Sequence, residues 1–153
     1  MAEPIVEQIS QWIQSNLDGV QDPDTTLTIN AERPKISGWN VTDYADSDVV
    51  IVILTTRTTE LSSDSRQETG VWRLYGIIDQ DSDSTELDTK MARLSETIRR
   101  TLIGGNSNGK ACGGIATYID APDVDYSIAE GCAVVIVTCV VDYWTDGLDG
   151  YTQ

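Results

Sequence analysis

Between Gly131 and Thr145 the chain reads GCAVVIVTCVVDYWT, its longest apolar run. Side chains of an extended strand alternate between faces, so Val134, Ile136, Thr138 and Val140 point one way and Ala133, Val135, Val137, Cys139 and Val141 the other. Strict alternation of apolar and polar positions would leave one wet face, but here both faces are mostly apolar. The pattern predicts a central strand covered by helix on one side and by more protein, such as a neighbouring subunit, on the other. So many β-branched side chains favour strand over helix, and the run is too short to span a membrane as a helix.

Apolar positions elsewhere mark the remaining elements. Ile5, Ile9, Trp12, Ile13 and Leu17 recur at helical spacing after Pro4, giving one apolar stripe that Gly19 ends before a turn at Gln21 to Asp24. Thr25 to Ile29 reads as a short strand and Lys35 to Val41 as a second one at an edge. Asp48 to Arg57 and Glu68 to Asp79 are two buried strands, with the polar stretch Thr58 to Gln67 between them. They form an antiparallel hairpin with a long arm or flexible loop, longer than a tight turn needs, which points to work outside its own fold. Leu87, Met91, Leu94, Ile98 and Leu102 mark a second helix, capped from Asp81 to Ser84 and ended by Gly104-Gly105, with Lys90, Arg93, Glu96 and Arg100 on its polar face. After a loop from Asn106 to Gly114 come a short strand at Ala116 to Ile119, a turn at Ala121-Pro122-Asp123, and the long C-terminal strand. The expected fold is α+β: a mainly antiparallel sheet of four to five strands packed by two helices, in one domain over residues 1–153.

Charge narrows the function classes. The chain carries 25 acidic and 10 basic residues, a net charge of −15, and no histidine. Such a body repels phosphate, so nucleic-acid binding through a basic face is not expected, although acidity can line a path along which DNA slides, mimic DNA, or simply keep a protein soluble. The charges are unevenly placed: from Ala111 onward there are seven acids and no Lys or Arg, whereas Lys90, Arg93, Arg99, Arg100 and Lys110 cluster just before. Opposite patches on one small body can meet between copies. The N-terminus lacks the pattern of a signal peptide and no stretch reads as a membrane span, so the expectation is a protein made and kept in solution. Cys112, Cys132 and Cys139, without a CxxC pair, read as small buried thiols suited to a reducing cytoplasm.

Chemical motifs are weak. Gly104 to Ala111 nearly spells a phosphate-binding loop, but Ala111 stands where a Ser or Thr hydroxyl should hold magnesium, and a helix precedes it in place of a strand. Asp79, Asp81 and Asp83 open like a calcium loop, yet Ser84 replaces the glycine and Lys90 the closing Glu, so helix capping explains them better. Without His or paired Cys, zinc sites and Ser-His or Cys-His nucleophiles are excluded. No cofactor is expected. Asp142 beside Tyr143, or Asp120, Asp123 and Asp125 together, have the residue types for carboxylate acid-base work, but read first as solvated acids. Asn40-Val41-Thr42 is a glycosylation sequon in form alone. Trp12, Trp39, Trp72 and Trp144 read as core or interface anchors.

The helix at Ile5 to Leu17, the strand DVVIVILTTR with its polar hairpin, VWRLYGIID leading into the Leu87 to Leu102 helix, and a terminal strand ending VVDYWTD together resemble the tail-terminator, or tail-completion, proteins of long-tailed bacteriophages. Related neck and minor tail proteins share this small α+β design. The resemblance implies a structural virion protein with no enzymatic activity: a homohexameric ring, assembled in the host cytoplasm, that ends the tail tube and joins it to the head connector. Its partners would be further copies of itself, the tail tube protein and the connector or neck protein, with DNA passing an acidic lumen without specific binding and no membrane involved. Candidate subunit or tube contacts are Thr58, Glu60, Asp64, Arg66, Glu68, Arg93, Arg100, Asp142 and Trp144. Two competing readings remain, a small acidic carboxylate-dependent hydrolase and a DNA-mimicking inhibitor.

Overall fold

A computed structural model describes residues 3–21, 28–34, 49–61, 65–78, 84–129 and 132–146. Helix α1 (Ile5–Leu17) leads to β1 (Asn30–Glu32), the hairpin β2 (Val49–Leu61) and β3 (Ser65–Ile78), helix α2 (Ser84–Ile103), and a second hairpin, β4 (Tyr118–Ala129) and β5 (Cys132–Asp146). The sheet order is β1-β2-β3-β5-β4, parallel between β1 and β2 and antiparallel elsewhere. The apolar C-terminal run is therefore an interior strand, as its two greasy faces require, although β3 holds the middle of the sheet.

Both helices lie on one face. Ile5, Ile9, Ile13 and Leu17 of α1, and Met91, Leu94, Ile98 and Leu102 of α2, are buried against Val50, Val52, Trp72, Leu74, Val135, Val137 and Val141. Gly76 lets α2 come close: a Cβ there would stand 2.7 Å from Leu94 Cδ2. Trp72 is fully buried, and its indole N–H donates to Ser10 Oγ at 2.9 Å, joining β3 to α1. All three cysteines are free and buried. The two helices and mixed, mostly antiparallel sheet agree with the α+β expectation.

Of the two forms expected for Thr58 to Gln67, a long arm or a flexible loop, the described residues show the arm: β2 runs on to Leu61 and β3 starts at Ser65, with Leu61 opposite Arg66. Repeated Thr supplies β-branched side chains without hydrophobic alternation, so the strand carries no apolar signature. The arm is three-stranded, because β5 accompanies β3 until Asp146 stands opposite Ser65. One expectation is corrected: the turn at Ala121-Pro122-Asp123 is a bulge inside one strand, where the register slips between Asp120 and Asp123. Proline is tolerated there because an edge bulge has no ladder bond to lose. Expectations for Asp22 to Leu27, Lys35 to Val41, the sequon, Trp39, Asp64, Asp79 and the Asp81 to Asp83 cap lie outside the described residues. Of the predicted Thr25 to Ile29 strand, Thr28 makes an isolated bridge to Gln21, and β1 begins at Asn30.

Candidate assembly surface

The second face of the sheet lies on the side away from the helices. Residues paired across strands share a face, so the register places Thr58, Thr69, Asp142 and Tyr118 in one row; Thr56, Val71, Val140 and Asp120 in the next; then Ile53, Arg73, Thr138 and Asp123; then Ile51, Tyr75, Ile136 and Asp125. At one end Ile51, Ile77, Cys132 and Val134 are buried in a small apolar cluster with Ile53, Tyr75 and Ile136 against it. Burial then fades along β5. Thr138, Val140 and Asp142 are half-buried, and Trp144 is 38% exposed. Tyr118, in the row of Asp142, is 50% exposed.

The candidate contact residues separate into three places. Thr58, Asp142 and Trp144 share the open face; Thr69 Oγ1 donates to Asp142 Oδ1 at 2.7 Å, and Glu60 stands opposite Gln67 in the next row. Arg93 and Arg100 are on α2, the first half-buried and the second exposed. Arg66 and Glu68 turn to the helix side instead, opposite Thr145 and Tyr143. Glu68 is buried and accepts from Thr59 Oγ1 at 3.4 Å. Burial of a carboxylate was not legible from ETGVW, because its cover comes from strands distant in sequence.

Beside Glu68, the Tyr143 hydroxyl and Thr145 Oγ1 are buried without a hydrogen bond of good geometry, the hydroxyl lying close enough to Glu68 and Arg57 to feel both. Burial pushes the Tyr143 hydroxyl pKa upward, Glu68 adds to the rise, and Arg57 opposes it. Burial also raises the Cys112 thiol from 9.0 to about 12, and raises Cys139 further still, with smaller contributions from Cys112 and Asp120. Thiols held neutral in this way are poor nucleophiles.

The edge strand β4 is guarded by residues that sequence reasoning missed. Asn106 Nδ2 donates to Ile119 O at 2.7 Å, and its Oδ1 accepts from Ile119 N at 3.0 Å, so one side chain takes both outward backbone groups. Arg99 Nε donates to Ala121 O at 3.1 Å, and Ser95 Oγ lies 3.1 Å from Tyr126 Oη. Beyond these, Asp123 and Asp125 are exposed on the second face.

Among the described residues the candidate acids do not converge on a cleft. Asp120, Asp123, Asp125 and Asp142 stand on a strand face and line none of the described clefts. Among the described residues no group of three or more His, Cys, Asp or Glu is placed to hold a metal ion, and no helix is long and apolar enough to cross a membrane. The Gly104 to Ala111 segment follows a helix and continues through Ser107–Lys110 and Ala111–Ala116 bridges around a 3-10 turn, with Cys112, Gly113 and Gly114 all at positive φ. Lacking the strand-loop-helix frame, it has no helix N-terminus to receive a phosphate. No protein-family model matches the chain, and no curated protein matches it.

Proposed function

We propose that this chain is a structural protein of a long-tailed bacteriophage: a tail terminator whose copies close into a ring on the finished tube and present a surface to the head connector, leaving an acidic passage for DNA. The observation that supports it most is the second sheet face, which keeps apolar and hydroxyl side chains while losing its cover toward Trp144. A face of this kind suits burial against another protein. Ring closure uses two different patches per copy, and the opposed charges of α2 and the C-terminal third offer such a pair. The three-stranded extension of β2, β3 and β5 suits contact with the tube. Light scattering coupled to size exclusion, at low and high salt, tests the reading. A discrete closed oligomer is expected; a strict monomer at every concentration would overturn it.

One observation favours the DNA-mimic reading, the column of Asp120, Asp123 and Asp125 on one strand face. The same measurement separates the two, because a mimic has no need of a closed ring.

A further inference from the structure

Two features of the surface lack partners among the described residues, and they match each other. The first is the β4–β5 half of the second face. Val140 and Thr138 form its half-buried centre, Tyr118 and Trp144 stand exposed at one end, and Asp120, Asp123 and Asp125 run down its border. None of these three carboxylates is in an ion pair with a described residue; the described ion pairs are Arg33–Glu7 and Arg99–Glu96. Arg73 shares a row with Asp123, but two strand spacings, about 10 Å, separate them.

The second feature is the outer ridge of α2. Arg93 and Arg100 are seven residues apart and therefore on one stripe, two turns or about 10.5 Å from each other. Neither is in an ion pair with a described residue. Arg99, on the other flank, is already held by Glu96 and Ala121 O. Glu96 lies between them at helical-neighbour spacing but pairs with Arg99, so in a chain with 25 acids and only 10 basic residues this stripe carries two arginines outside the described ion pairs. One turn beyond Arg100, Ile103 is 39% exposed, an apolar side chain at the end of a basic ridge.

The dimensions agree. Asp120, Asp123 and Asp125 pair with Val140, Thr138 and Ile136, so the column has a pitch of about 7 Å and a length of about 13 Å. Arginines about 10.5 Å apart fall within that length, and their flexible arms cover the remaining mismatch.

We infer that the α2 ridge of one copy docks on the β4–β5 half of the second sheet face of the next copy, with Arg93 and Arg100 against the aspartate column and Ile103 toward Tyr118 and Trp144. The two surfaces lie on opposite sides of the molecule, so the contact is heterologous and every copy both gives and receives. Centre and border divide the work: Val140, Thr138, Tyr118 and Trp144 supply burial, while the charges fix orientation and association rate. The inference rests on the self-assembling reading and names its interface.

Charge exchange tests it by sedimentation velocity at low salt, with circular dichroism to confirm folding. R93E/R100E and D123K/D125K should each weaken assembly more than tenfold, and the quadruple variant R93E/R100E/D123K/D125K should recover it, as should an equimolar mixture of the two double variants. If the wild type assembles and the double variants assemble equally well, this interface is wrong while the ring reading stands. Loss in both double variants without rescue in either the quadruple variant or the mixture also overturns the pairing. A wild type that never assembles removes the ring reading, and this inference with it.

Discussion

Ser10 and Tyr143 make different predictions about buried hydroxyls. Ser10 Oγ accepts the Trp72 indole proton and donates to Val6 O at 3.1 Å, so Ser10→Ala strands an N–H inside the core. A loss of about 1–3 kcal/mol is expected from urea unfolding. Tyr143→Phe removes a buried hydroxyl that lies near Glu68 and Arg57 but makes no well-formed hydrogen bond, and the same measurement should show a smaller loss than Ser10→Ala or none. Equal losses in both would contradict the packing described. Gly70 is constrained by the same tryptophan: a Cβ would lie 2.5 Å from the Trp72 ring, which is fully buried and cannot yield, so Gly70→Ala should cost about 1–3 kcal/mol. Raised acid groups also set the alkaline limit of the fold. Cys112, Cys139 and Tyr143 keep their protons in the folded state beyond their unfolded pKa values, so the stability they contribute is complete below those values and is lost as pH rises toward the folded ones. Thermal midpoints should be insensitive to these groups below about pH 8.5 and fall above about pH 9; Cys112→Ala should flatten the fall.

Elements were legible where burial writes a period into the chain. The stripe Ile5, Ile9, Ile13, Leu17 and the α2 stripe ending at Leu102 are buried as their spacing requires, and the two-faced run of β5 lies inside the sheet. Whether β2 and β3 continue as an arm or give way to a loop was not legible, since Thr55 to Thr59 alternates no hydrophobics and is held as strand by β3 and β5 together. Pro122 read as a turn because a bulge is a property of the pairing and leaves no local signature. Of the candidate contacts, Asp142 and Trp144 share a face because strand parity can be counted, whereas Thr58 joins them only through the bulge between Leu54 and Thr56, and the burial of Glu68, which has the parity of Trp72 and Leu74, depends on cover from distant chain. Asn106 was the least legible, a loop residue doing the work of a missing strand. Asn106→Ala should cost about 1–2 kcal/mol and bare the β4 edge, raising aggregation on mild heating as measured by turbidity; unchanged stability and solubility would show the edge needs no cover.

At the scale of the whole molecule the decisive property is asymmetry. One sheet face is sealed by two helices, and the other opens from a buried cluster to exposed aromatic side chains, while cations gather on α2 and anions on β4 and beyond. A net charge of −15 on a body without a described phosphate cradle predicts that duplex DNA is not retained at physiological ionic strength, which a gel-shift assay checks. Retention would remove the idea of a passage along which DNA slides. The proposed ring would use this asymmetry, with each open face matched to a different face of a neighbour. Negative-stain electron microscopy of the purified protein tests this most directly. The account predicts closed rings of uniform size with a central opening; fields of single small particles, or open filaments that never close, would contradict it.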